Sequence, residues 1–294
     1  MSQADGADRP DAGTATTARA PGRLGLALLV SEIAVLFRRV RTLALLAALA
    51  LIPILLAVAV RVTTSGSSSG RGPAFLDQIT QNGLFVSLAA LTLAIPLFLP
   101  LTVGVVAGDT IAGEAGLGTL RYLLVTPVGR VRLLVVKYLG AALFCLAATL
   151  TVVLFGALAG VVFFPVGPVT LLSGDTVGVA DYLGRLAMMA LYVTVSLLGL
   201  SAIGLFVSTL TSVPVGAMAA TIVLSIVSQI VDALPQLAAV HPWLFSHYWL
   251  GFADFLRQPV SWDQFGQNAL LQVGYVVVFG SLAIGRFTTK DVLS

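Results

Sequence analysis

Few side chains in this sequence are equipped for chemistry, and their spacing closes most of the options. The two lysines sit in Val136-Lys137-Tyr138 and Thr289-Lys290-Asp291, and neither follows a glycine. A phosphate-cradling loop needs Gly-Lys-Ser/Thr, so that backbone amides and an ammonium meet the phosphates together. That loop is missing, so any nucleotide-driven work has to come from another polypeptide. Gly116-Leu-Gly118 carries part of a nucleotide glycine pattern, but no strand precedes it to support one. His241 and His247 are six apart in His-Pro-Trp-Leu-Phe-Ser-His, whereas metal ligands on one helical face want a spacing of about three or four. No acidic residue or cysteine lies close to them in sequence, and they read as amphipathic rings at the headgroup level. Cys145 is the single cysteine and lies in an apolar run. It excludes an intrachain disulfide and a Cys-rich metal site, and it reads as small apolar filler.

What remains is one polar stretch, Gly108 to Lys137, with four basic residues, two acidic residues, five glycines and one proline. It reads as three pieces. Asp109–Glu114 continues a preceding helix, and Gly116 and Gly118 break it. Thr119–Leu124 is a short helix with Leu120, Leu123 and Leu124 on one face and Arg121 on another. Thr126-Pro127 then supplies an N-cap followed by proline at the first helical position. Arg130 and Lys137 lie two turns apart on the helix that follows. A purely solvated basic loop has no need of embedded leucines. They call for a groove, in a neighbouring helix or in a partner protein.

The elements that must position this stretch are lipid-like. Of 294 residues 58% are hydrophobic and only 10% charged, and the mean hydropathy is +1.01. A soluble domain averages about 25% charged residues, so the chain is expected to be an all-α integral membrane protein. Residues 1–22 have almost nothing to bury and read as a disordered cytoplasmic tail. Leu24–Phe37 is too short to cross a bilayer core, which needs about 20 residues. Its Ser31, Glu32, Arg38 and Arg39 fall near one narrow stripe, which fits an interfacial helix lying in the headgroups. Six spans follow in the remaining 23–294 region, at about 43–60, 83–107, 138–162, 186–210, 214–231 and 269–285, with 108–137 between the second and third. Pro53 is expected to kink the first, and Pro96 and Pro100 to bend the second. The long segment Asp232–Gln267 holds all three tryptophans and is expected to form an aromatic belt or helices along the outer membrane face.

Orientation follows from the basic residues. With both termini cytoplasmic, the inner segments hold twelve Lys and Arg and the outer segments four, Arg61, Arg71, Arg185 and Arg257. No charged side chain lies near the middle of a span. A charge there costs about 2.5–3.5 kcal/mol on insertion scales, and chains keep one where it works, as in proton relays. This argues against a proton-coupled pump and against an intramembrane protease built on ionised carboxylates. Hydroxyl and amide groups within the spans, such as Ser87, Ser196, Thr221, Ser228 and Gln272, read as helix-packing groups. Gln229, three before Asp232, is placed to face a cavity mouth.

Gly113-Glu114-Ala-Gly-Leu-Gly118-Thr119-Leu120-Arg-Tyr-Leu123-Leu124-Val-Thr-Pro127-Val-Gly-Arg130, followed by Lys137, resembles the signature of ABC type-2 (ABC-2) exporter permeases. The closing Arg286-Phe287-Thr-Thr-Lys290-Asp291 resembles the same family's ending, and the plan from about residue 24 to 294 is similar. The resemblance implies an N-terminal interfacial helix, six transmembrane helices and a multi-pass location in the plasma membrane. It implies that the loop between the second and third spans carries a coupling helix that docks on a cytosolic ATPase subunit. By residue-by-residue match Glu114, Thr119, Leu120, Arg121, Leu123, Leu124, Pro127 and Arg130 would form or frame that helix. ATP–Mg would bind the partner and no cofactor this chain, which would pair as a homodimer or heterodimer in the lipid bilayer without a nucleic-acid partner. The cargo has no diagnostic pattern. The rival reading is a membrane-embedded enzyme or a stand-alone channel or scaffold without an ATPase. An ATPase gene adjacent to this one would separate the two.

Overall fold

The structure, a computed structural model, describes residues 21–66, 74–118, 129–171 and 173–289. The described residues form a helical bundle with one two-stranded hairpin. Helix α1 (Pro21–Arg38) leads through a bend at Arg39 into α2 (Val40–Gly66). A short α3 (Ala74–Gln81) precedes α4 (Phe85–Leu93), which runs through a π-helical turn (Ala94–Phe98) into α5 (Leu99–Gly116). After the loop come α6 (Arg130–Phe163), the hairpin β1 (Val169–Thr170) and β2 (Thr176–Val177), α7 (Val179–Leu210) and α8 (Pro214–Asp232). Three 3-10 turns, Pro235–Leu237, His241–Trp243 and Trp249–Leu256, lead to α9 (Asp263–Thr289).

Among the described residues six helices are long and apolar enough to cross a membrane: Val40–Thr64, Phe85–Gly116, Arg130–Phe163, Val179–Leu210, Pro214–Asp232 and Asp263–Thr289. An even number of crossings leaves residues 21 and 289 on one side. Several helices outrun the apolar runs that mark them in the sequence. The second helix continues past residue 107 to Gly116, and the third begins at Arg130 rather than at 138. Helical hydrogen bonding does not stop where hydrophobicity does, so polar turns project beyond the lipid core. At the start of the chain, helix is already formed at Pro21, where the tail was expected to extend through residue 22. Residues 1–20 lie outside the described residues.

The two prolines of the second span act differently. Pro96 lacks the N–H that would close an α turn, and the chain there widens into the π turn Ala94–Phe98. Pro100 follows directly, in the first turn of α5. Pro53 lies inside α2.

Helix α7 is the centre of the bundle and packs on α5, α6, α8 and α9. Of its most apolar window 72% is buried, against 17% for α9 and 28% for α2 and α8. The outer helices therefore turn apolar faces outward, a surface that only lipid or another apolar chain can cover. Backbones touch where α4 meets α6. A Cβ on Gly160 would lie 1.9 Å from the carbonyl oxygen of Gly83, so neither position admits a side chain. Ser87 Oγ donates across the same contact to the Val153 carbonyl at 3.0 Å.

The segment 235–256 is a cap pinned to the helices. Trp249 is 2% exposed and its Nε1 donates to the Ser196 carbonyl at 3.0 Å. Gln272 Nε2 donates to the Phe245 carbonyl at 2.9 Å and its Oε1 accepts from the Gly199 amide at 3.1 Å. Tyr192 donates to the Tyr248 carbonyl at 2.6 Å. These bonds join the cap to α7 and α9. Trp243 and Trp262 remain exposed, so the belt expectation is corrected at Trp249 alone. The folding of the cap follows from its aromatic content: Phe245, Trp249, Phe252 and Phe255 are all buried.

Candidate functional site

Where the bundle carries its polar loop, helix ends converge. α5 closes with Leu117 and Gly118, whose amides donate to the Gly113 and Ala115 carbonyls. Gly118 has φ 69°, the left-handed conformation that ends helices and suits glycine. Leu117 beside it is 80% exposed. The chain returns at Gly129, extended at φ −56° and ψ 139°, and α6 begins at Arg130. The expected helix start at Thr126-Pro127 is thus replaced by one capped at Gly129. Thr119, Leu120, Arg121, Leu123, Leu124 and Pro127 lie outside the described residues, as do Lys290 and Asp291. Glu114 and Arg130, which frame them, are described.

Glu114 and Lys137 meet across the root of the loop. Lys137 is 3% exposed, and its Nζ donates to Glu114 Oε1 and, at 2.8 Å, to Glu32 Oε1. One ammonium thus joins α1, α5 and α6. The sequence reading put Glu32 and Arg39 together on one stripe of α1. Instead α1 ends at Arg38, Glu32 turns to Lys137, and Arg39 turns to Asp109 on α5 at 3.5 Å. Arg41 reaches the same Asp109 oxygen at 3.3 Å. Arg38 is exposed. A buried lysine needs its charge matched, and two carboxylates drawn from different helices hold it in place.

Two further joints lie at the same level. Ser208 Oγ on α7 accepts from the amides of Ile111 and Ala112 on α5, at 2.9 and 2.8 Å. Arg130 Nη1 donates to the Phe287 and Thr288 carbonyls in the last turn of α9, at 3.3 and 3.0 Å. Helix C-terminal carbonyls have no partner within their own helix, and a guanidinium is a suitable cap. Beneath these bonds Ile111, Leu133, Leu134, Leu205, Ala283 and Phe287 form a small core of their own. Sequence reasoning had no role for Asp109, Ser208 or Phe287. The only signal was Phe287 in a closing motif otherwise polar.

The other residues singled out in the sequence lie at the opposite end of the bundle. His247 Nδ1 is 2.6 Å from Asp232 Oδ1, which the distance in sequence had hidden. The His241 and His247 rings are 6.0 Å apart. Among the described residues no group of three His, Cys, Asp or Glu is placed to hold a metal ion. Gln229 borders a cavity of about 190 Å³ with Asp232, Ser246 and His247. Ser228 and Ser246 share a 2.7 Å hydrogen bond, while Thr221 and Ser225 bond back to their own helix. Some in-span hydroxyls therefore link elements, and others satisfy themselves locally.

The arrangement is a loop whose two ends are bolted to α1, α7 and α9, on a multi-pass membrane scaffold. The sequence matches no protein of curated function. It does match a family model described as ABC-2 family transporter protein, across residues 26–292. That match takes in every described helix that can cross a membrane, and the chain belongs to the ABC-2 transporter family as a permease subunit.

Proposed function

We propose that this chain is the transport subunit of a plasma-membrane exporter, driven by a separate cytosolic ATPase that binds ATP–Mg. Residues 108–137 are the docking loop. Leu120, Leu123 and Leu124 enter a groove on the ATPase, with Thr119, Arg121 and Pro127 around them. Two permease chains, identical or homologous, work with two ATPases. ATP binding closes the ATPases, moves the docking loops together and tilts the spans between inward and outward access. The nucleotide supplies the free-energy difference between the two states, and the permease transmits it.

The observation that carries this reading is the buried Lys137 held by Glu32 and Glu114. A loop that only connected two spans would not need its root fastened to the interfacial helix. With this fastening, a push on the loop displaces α1, α5 and α6 together. The exposed Leu117 offers an apolar foothold at the loop's entrance.

Leu123→Asp tests the docking role. It places a charge where an apolar contact is needed, and it is expected to abolish co-purification with the ATPase while membrane insertion and yield stay at wild-type level. Retained binding would remove the loop from the interface.

A further inference from the structure

The junction of α1 and α2 carries a charge pattern that neither the bundle nor the docking loop uses up. Arg38, Arg39 and Arg41 lie within four residues, and all three are exposed. The carboxylate against Arg39 and Arg41 is Asp109, a single oxygen of which faces both, at 3.5 and 3.3 Å. These separations exceed the roughly 2.7–2.9 Å of a strong charge-assisted hydrogen bond. Each guanidinium has about five N–H donors. The contacts engage one nitrogen of Arg39, through Asp109, and two of Arg41, through Asp109 and Met218 Sδ. Donors are therefore left to spare, and the Arg39 and Arg41 side chains are both 44% exposed.

The surroundings select the ligand. Val40 between the arginines is 82% exposed, Leu43 one turn on is 52% exposed and Val35 is 49% exposed. A free anion has no use for them. We propose that Arg38, Arg39 and Arg41 bind the phosphate of an anionic phospholipid headgroup, with Val40 and Leu43 against its acyl chains. Arginine's planar fork suits a phosphate, and the site lies at the end of the first span, where polybasic segments meet the anionic leaflet. A crevice of about 30 Å³ runs beneath the pair. It has room for about one or two waters, and Glu32 and Asp109 line it, so the phosphate sits on the outer side of the guanidiniums. Asp109 competes with the lipid for the same donors. The lipid thereby tunes how firmly the α1–α2 elbow is held to α5. The proposal needs only that the chain sits in a bilayer, and it is independent of the cargo and of the ATPase.

The full chain reconstituted in phosphatidylcholine vesicles, with spin-labelled phosphatidylglycerol or spin-labelled phosphatidylcholine as the probe, tests this. The wild type is expected to restrain the anionic lipid several-fold over the zwitterionic one, with the preference falling as salt rises. Arg39→Gln with Arg41→Gln should remove most of it. Asp109→Asn should strengthen it by freeing donors, and this variant keeps the test decisive if the double substitution folds poorly. Equal restraint of the two lipids by the wild type would overturn the proposal, as would an unchanged preference in Asp109→Asn. Full displacement by millimolar inorganic phosphate would also overturn it, showing a site for a free anion.

Discussion

Lys137 is the residue on which the cytoplasmic end depends. Its ammonium is almost wholly buried and is shared by Glu32 and Glu114. Lys137→Met would leave two carboxylates facing each other without a cation, and breaking a buried ion pair in this way costs about 3–5 kcal/mol. The variant is expected to unfold well below the wild type in a detergent thermal-shift assay. Adding Glu114→Gln removes one of the stranded charges and should recover part of the loss. A wild-type melting point for Lys137→Met alone would show that the cluster contributes no stability. The sequence marked Glu114 and Lys137 as polar residues of one loop. It could not pair Glu32 with a lysine 105 positions away, because that contact exists only once α1 lies against α6.

At the scale of elements, the α4–α6 contact is the one most exposed to a single added carbon. A methyl on Gly160 would meet the Gly83 carbonyl oxygen at 1.9 Å, far inside contact distance. Gly160→Ala is expected to cost about 3 kcal/mol, the upper end for overpacking, read as a lowered midpoint of unfolding in mild detergent. Unchanged stability would mean that the two backbones do not touch. Long apolar runs made the spans legible, because twenty lipid-facing residues can hardly be anything else. Their ends were less so. Asp109 and Glu114 lie beyond the apolar run yet belong to α5, as expected of a helix that continues wherever its backbone bonds can form. The start of α6 departs from the expectation. Thr126-Pro127 has the right chemistry for a helix start, but the helix begins after Gly129. The π turn at Pro96 also needed the surrounding helices, for a proline alone permits either a kink or a widened turn.

The whole molecule has a capped end and, opposite it, the end that carries the loop 108–137. Gln272, with Asn268 and Ser196, ties the outer cap to α7 and α9, and both amides are buried. Gln272→Leu would strand the Phe245 carbonyl, at about 1–3 kcal/mol for a buried group left unsatisfied. The cap of the variant is expected to be cut faster by protease added outside sealed vesicles, while the wild type resists. Equal cutting rates would show that the cap is held by its aromatic packing alone. Sequence reasoning put those tryptophans at the membrane surface because amphipathic rings gather there. Trp249 departs because its N–H finds the Ser196 carbonyl inside the fold.

In the proposed mechanism work enters through residues 108–137 and is passed to α1, α5 and α6 as a unit. Hydrogen–deuterium exchange on the full chain in nanodiscs, with and without its ATPase and ATP, measures this most directly. Protection on ATPase binding is expected to concentrate in 108–137 and to extend into α1, with the outer cap unchanged. Protection confined to other segments, or none within 108–137, would contradict it.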